Sequence, residues 1–258
     1  MTLPIIVGCC GWPEARAKYF QHFSVIELQD TFYDPPSLAT IEKRRQEAPP
    51  DFVFTLKAWQ LITHTPRSPT YRRLKTPVAS DMHDRYGFFR PTAEVRQAWE
   101  RTAAIARALR AALVVFQCPP SFRPTPENKA NLEAFFGGIE RGDFLLAWEP
   151  RGRWVPAEVQ EICHPLDLIH CVDPFATEAT YGAIAYFRLH GRDGYRYRYS
   201  DEELEALRQM CLRQVEGGRR PVYCLFNNVF MLEDALRFQR LLAQAPGSWT
   251  SRGVNQSA

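Results

Sequence analysis

The sequence predicts an α/β protein, a single-domain (β/α)8 TIM barrel, because strand-like and helix-like segments alternate along most of its 258 residues. Eight short apolar runs stand out: IIVGCC (5–10), VIELQD (25–30), FVFTLKA (52–58), ALVVFQC (112–118), FLLAWE (144–149), LIHCVD (168–173), AIAYFRLH (183–190) and VYCLFN (222–227). Each has strand length and is rich in β-branched or aromatic residues. Most are continuous rather than alternating, as in parallel strands covered on both faces. Helical patterns lie between them, and nearly every run ends in a polar side chain. A doubly wound open sheet would share the alternation, but no Gly-rich fingerprint follows the first run.

Taken in order, the chain enters the first run almost at once, without a basic leader, so no cleaved signal peptide is expected. No stretch of about 18 apolar residues predicts a membrane span. Helices are expected over 37–46, 92–110, 127–136, 201–215 and 231–244, with Ser37, Thr92 and Ser200 as N-caps. The third run is followed by a long loop, WQLITHTPRSPTYRRLKTP onward, and loops of that length are functional or flexible. Only about ten residues separate runs six and seven, too few for a crossover helix, so irregular backbone is expected there. The barrel domain is expected to span 1–249, leaving a polar tail at 250–258.

Apolar residues make up 45% of the chain and charged ones 24%, which suits a packed core and excludes disorder. The seven cysteines form no C-x-x-C pair and mostly sit in apolar runs, where a thiol behaves as a small hydrophobe. That usage fits a reducing, cytoplasmic setting.

The chemistry is concentrated at the strand ends. They carry Glu27 and Asp30, Lys57, Gln117, Glu149 with Arg151, Asp173, Arg188 with His190, and Asn227 with Asn228. In a (β/α)8 barrel the active site is built at that end from several strands. Arg188 and His190 are two apart, so both point to one side of their strand. Lys57, Arg151 and Arg188 suit an anionic group. Glu27, Glu149, Asp173 and His190 are candidate acids, bases or metal ligands, without diagnostic metal spacing. Gln117, Asn227, Asn228, His64 and Tyr199 are candidate substrate contacts. No nucleophile elbow, H-E-x-x-H motif or Walker loop is present, so no cofactor is named by motif. Residues 59–90 carry six Lys/Arg against two Asp, and GRDGYRYRYS (191–200) interleaves Tyr with Arg. Both stretches raise nucleic acid as an alternative partner, with a rim-packing arm as the plainer reading of the second.

VGCCGW (7–12), IELQDTFYDPPS (26–37), FVFTLKAWQLITH (52–64), VVFQCPPSF (114–122), AWEPRGRW (147–154), YFRLHG (186–191), YRYRYS (195–200) and FNN (226–228) together resemble the YecE-like family, domain of unknown function family 72. The resemblance implies a TIM barrel. It also implies that Glu27, Lys57, Gln117, Glu149, Arg151, Arg188, His190 and Asn227 occupy the family's polar motif positions. Cys9-Cys10 stands where that family usually has Thr-Ser, and Gln29 where it usually has Asn. Pro150 and Gly152 replace its usual Phe and His. The functional expectation is an enzyme, a hydrolase or lyase, acting on a small phosphate- or carboxylate-bearing substrate at the barrel mouth. The alternatives are nucleic-acid binding or processing, and non-catalytic ligand binding.

Overall fold

Glu27, Lys57, Glu149 and Arg188 are brought to one end of a parallel barrel because each lies at the C-terminal end of its strand. The computed structural model describes residues 4–244, so the expected tail at 250–258 and the end of the domain at 249 lie outside the described residues. The strands are β1 (Ile5–Cys10), β2 (Val25–Leu28), β3 (Val53–Lys57), β4 (Leu113–Gln117), β5 (Leu145–Glu149), β6 (Ile169–His170), β7 (Ala185–Leu189) and β8 (Val222–Phe226). All pair in parallel, in the order β6-β5-β4-β3-β2-β1-β8-β7. A parallel bridge between Val172 and Phe187 joins the two ends and nearly closes the barrel. There the Val172 amide donates to the Tyr186 carbonyl at 3.2 Å, and the Arg188 amide donates to the Val172 carbonyl at 2.9 Å.

Helices α1 (Arg16–His22), α2 (Asp30–Tyr33), α3 (Leu38–Glu47), α4 (Gln60–Thr63), α5 (Ala93–Leu109), α6 (Pro126–Gly138), α7 (Pro156–Cys163), α8 (Asp201–Glu216) and α9 (Met231–Ala243) interleave with the strands. Ser37, Thr92 and Ser200 each accept an amide from three residues on and start α3, α5 and α8. The five expected helices are present; α1, α2, α4 and α7, each eight residues or fewer, were not anticipated. Among the described residues no helix is long and apolar enough to cross a membrane.

Run six is the departure among the strands. Only Ile169–His170 pair as strand, because the chain folds back on itself and the His170 amide takes the Tyr181 carbonyl at 3.0 Å. No helix follows before β7, as the short spacing required. The long segment after β3 is more ordered than a free loop. It holds α4 and two 3-10 turns, Pro69–Arg73 and Ser80–Arg85, then docks on its own start. The Gly87 and Phe89 amides donate to the Leu61 and Ile62 carbonyls at 2.8 and 2.9 Å. Gly87 (φ +77°) has no room for a Cβ, which would sit 2.3 Å from the His64 carbonyl oxygen.

Candidate functional site

Strand parity builds the mouth. On β7, Ala185, Phe187 and Leu189 pack outward under the helices, while Ile184 and Tyr186 belong to the barrel interior. Arg188 and His190 continue the inward set. The same alternation puts Glu27 above Val25, Gln117 above Val115, Glu149 above Ala147, Asp173 above Cys171 and Asn227 above Leu225. The barrel is thus apolar below and polar in its last inward layer. All seven cysteines are buried, and Cys10 and Cys171 line that interior, where burial raises both thiols well above their ordinary pKa.

Arg188 is the centre of the layer and is fully buried. Its Nε and Nη2 donate to the two oxygens of Glu27 at 3.0 and 2.8 Å. Its Nη1 donates to Gln117 Oε1 at 3.0 Å and to Glu149 Oε2. Tyr186, two residues earlier, donates to Glu27 Oε2 at 2.9 Å and contacts the Thr55 hydroxyl at 2.7 Å. Gln29 donates to the other Glu27 oxygen. Burial works against the charge on Arg188; the carboxylates of Glu149 and Glu27 outweigh it and raise the pKa. Burial would likewise raise Glu149, but Arg188, Arg151 and His190 hold its carboxyl at about 2.

Arg151 lies one layer out. Its Nε and Nη2 both reach Glu149 Oε1 at 2.8 Å, and Nη2 also meets His190 Nε2. Since the guanidinium can only donate, that imidazole nitrogen is the acceptor. The other ring nitrogen, Nδ1, lies 3.7 Å from Asp173 Oδ2, and the same carboxylate oxygen accepts the His190 amide at 3.1 Å. Burial keeps His190 below its ordinary pKa, with Asp173 pulling the other way. The ring is therefore neutral at neutral pH.

Lys57 is set apart. It is buried, and its Nζ stands 3.4 Å from the centroid of the Phe32 ring. Thr31 fixes that lid, donating from α2 to the Lys57 carbonyl at 2.7 Å. Among the described residues no carboxylate lies within 4.0 Å of the amine, whereas Arg188 and Arg151 are both paired. Burial, then the Arg188 guanidinium, push the amine from 10.5 down to about 7, against the pull of Glu149 and Glu27. His64 is buried beside it, its Nδ1 2.8 Å from the Thr63 hydroxyl. Burial, Lys57 and Arg151 push that imidazole down to about 3.

A cavity of about 1000 Å³ opens above this layer, lined by His64, Arg67, Phe88, Arg90, Gln117 and Arg151 among others. Asp81 and Asp84 of the second 3-10 turn stand on its wall. Phe88 on its wall and Phe89 in the core behind it are in left-handed conformations, φ 56° and 53°, which bulky residues adopt at a cost of about 1–3 kcal/mol each.

Of the expected site residues, Glu27, Lys57, Gln117, Glu149, Arg151, Arg188, His190 and Asp173 converge, and His64 joins them from α4's end. Asn227 follows in the inward parity. Two go elsewhere. Asn228, one residue out of phase, turns to α9 and donates to Asp234 Oδ2 and to the Tyr197 carbonyl, both at 2.8 Å. Tyr199 is buried, its hydroxyl accepting the Gly191 amide at 2.8 Å and its ring stacked on Phe175. Both hold the 191–200 arm to the rim. Arg188 has the expected position but is enclosed by its partners. Of the side chains that could have served as metal ligands, Glu27 and Glu149 are engaged by guanidinium groups, and among the described residues no three His, Cys, Asp or Glu side chains are grouped to hold a metal. Tyr186 and Phe32 were missed. Parity two before Arg188 was a usable signal for Tyr186; Phe32 sits in a four-residue turn with no periodicity to read.

The comparisons agree with the fold. The model of the family described as "Protein of unknown function DUF72" matches residues 7–256. The UPF0759 protein YunF of Bacillus subtilis (strain 168) is 25% identical over 268 residues, covering 87% of this chain and 88% of its own. A DUF72 family protein of Enterococcus faecalis V583 has a similar structure, with TM-score 0.72 and 21% identity, over 95% of this chain and 99% of that one. Another, from Thermotoga maritima MSB8, gives TM-score 0.64 and 19% identity, over 93% and 99%. With a family model matched from β1 to beyond α9 and the same barrel in two of its members, the chain belongs to the DUF72 family.

Proposed function

We propose that the barrel mouth is the active site of an enzyme acting on a small anionic substrate, held by Arg151 in the cavity above the Glu27–Arg188–Glu149 layer. One observation carries this reading: Arg151 is the cation that both touches the polar layer and faces the open cavity. Its side chain is 32% exposed, against 0% for Arg188. Arg67 and Arg90 line the same cavity, and a planar guanidinium binds phosphate or carboxylate in two-point fashion. The division of labour follows from the charges. Glu149, held ionised, is a poor proton donor and serves as the anchor of Arg151. His190, neutral and backed by Asp173, is the group able to accept a proton. An anion that draws Arg151 away from His190 also uncovers the Nε2 lone pair.

A second reading draws on the exposed Arg67, Arg72 and Arg73 of the segment after β3, which suit a phosphate backbone. The 191–200 arm adds only Arg196 to it, since Arg192 and Arg198 are paired with Glu203 and Glu233.

Thermal unfolding of the wild type and of Arg151→Met, with inorganic phosphate, glycerol 3-phosphate, citrate and a single-stranded oligonucleotide, tests both. At a ligand concentration about 100-fold above Kd, stabilisation of about 2.7 kcal/mol is expected in the wild type and is lost in Arg151→Met. Equal stabilisation of both proteins by the small anions would contradict the role of Arg151. Binding of the oligonucleotide alone, weakening with salt at a slope of about −0.7 per phosphate contact, would favour the second reading.

A further inference from the structure

The site holds one nucleophile that the anion reading does not use. Lys57 is one of five lysines in the chain, and the others, Lys18, Lys43, Lys75 and Lys129, are exposed or half-buried. Its amine is covered by Phe32 and has the guanidinium charges of Arg188 and Arg151 around it. The two carboxylates that could hold it as a cation are already committed: Glu27 to Arg188, Tyr186 and Gln29, and Glu149 to Arg188 and Arg151. His64, another titratable neighbour, carries no negative charge in either protonation state and supplies no counter-charge. An amine in an apolar, cation-flanked pocket without an ion-pair partner is arranged for nucleophilic use. Lys57 does not line the cavity itself; it stands on β3 paired with Val115 of β4, two residues before the cavity-lining Gln117, which places the amine near the cavity floor on the side that Arg151 faces.

From this arrangement we infer that Lys57 condenses with a carbonyl carbon of the substrate, a small aldehyde or ketone bearing a phosphate or carboxylate. The inference rests on the anion reading for the charged group and adds the reactive one. The Nζ lone pair attacks the carbonyl carbon, and the C=O π pair moves to oxygen. That oxygen takes up the proton released from nitrogen, giving a carbinolamine. The nitrogen lone pair then forms C=N as the C–O bond breaks, and with a second nitrogen proton the oxygen leaves as water. The net change is amine plus carbonyl to imine plus water, with no oxidant or reductant. With a pKa of about 7 rather than 10.5, Lys57 has on the order of a thousand times more free amine at neutral pH than an ordinary lysine.

Sodium borohydride reduces such an imine to a stable secondary amine, so peptide mapping by mass spectrometry reads it directly. The full-length protein is incubated at pH 7 with glyceraldehyde 3-phosphate, pyruvate or uncharged glyceraldehyde, then reduced. The expected adduct lies on the Lys57 peptide and exceeds that on each of the other four lysines at least tenfold (about 1.4 kcal/mol). Lys57→Arg and Lys57→Met, verified as folded by circular dichroism, lose it. Adducts spread evenly over all five lysines, or absent from Lys57, would overturn the inference, and the wild-type map decides this without any variant. The two readings separate cleanly. Phosphate stabilisation without a Lys57 adduct leaves the anion site and removes the amine. A Lys57 adduct with glyceraldehyde that phosphate neither slows nor competes with keeps the amine and removes the anion grip.

Discussion

Arg188→Met is expected to destabilise the barrel by about 3–5 kcal/mol, the range for removing one partner of a buried ion pair. The reason is that Arg188 is the single group joining Glu27, Gln117 and Glu149, and both carboxylates are buried. Without it they face each other in an apolar barrel with little access to water. Urea unfolding at pH 7 measures the loss. A double variant, Arg188→Met with Glu27→Gln, should regain part of it, because one stranded carboxylate is then neutral. Acid sensitivity should change as well. Glu149 has a folded pKa of about 2 against an ordinary 4.5, so its contribution is present above 4.5 and fades as pH falls toward 2. Removing Arg188 raises that folded pKa and moves the acid limb to higher pH. A loss below about 1 kcal/mol, typical of solvated surface pairs, would mean the cluster is wetter than described.

Lys57→Met is expected to do the reverse, stabilising the protein at pH 6. Here the folded pKa, about 7, lies below the ordinary 10.5. Between those values the unfolded chain binds more protons than the folded one, so stability rises with pH across that window. Below pH 7 the full penalty of holding a charged amine in the barrel is present. Methionine fills similar volume without it. The melting temperature of the variant should therefore exceed that of the wild type at pH 6, and the advantage should shrink as pH approaches 10.5. Comparing the two proteins cancels the other titrating groups, apart from the neighbours Arg188, Glu149, Glu27, Arg151 and His64 that set the shift. A variant less stable than wild type at pH 6 would mean that the contact with Phe32 outweighs burial. It would also weaken the case for Lys57 as a free amine.

Both predictions depend on depth, which is where sequence and structure part. Strand parity was readable: spacing by two puts Tyr186, Arg188 and His190 on one side, and the last inward residue of most strands is polar. The same parity, applied strictly, excludes Asn228, which follows the inward Asn227 by one. Parity does not give height in the barrel. Arg188 and Arg151 look equivalent as strand-end cations. The structure separates them because Arg188 ends within β7, ringed by three partners, while Arg151 follows β5 by two residues and reaches the cavity. The cavity itself was legible only as a long basic loop. Its walls depend on Gly87–Phe89 folding back on α4, through backbone bonds that leave no periodic trace. The basic character of the 191–200 arm is reduced for a related reason. The partners of Arg192 and Arg198, Glu203 and Glu233, lie in α8 and α9 and become neighbours only when the barrel forms, which leaves Arg196 as the arm's exposed arginine without a carboxylate within 4.0 Å among the described residues.

The most direct measurement of the central claim is diffraction from crystals soaked in molybdate, a heavy phosphate surrogate whose anomalous signal locates it without a model of the ligand. The account predicts a peak inside the cavity within hydrogen-bonding reach of the Arg151 guanidinium, about 2.7–3.2 Å from its nitrogens, and absent from Arg151→Met crystals. Peaks confined to the outer surface, with the cavity at Arg151 filled by water alone, would contradict it.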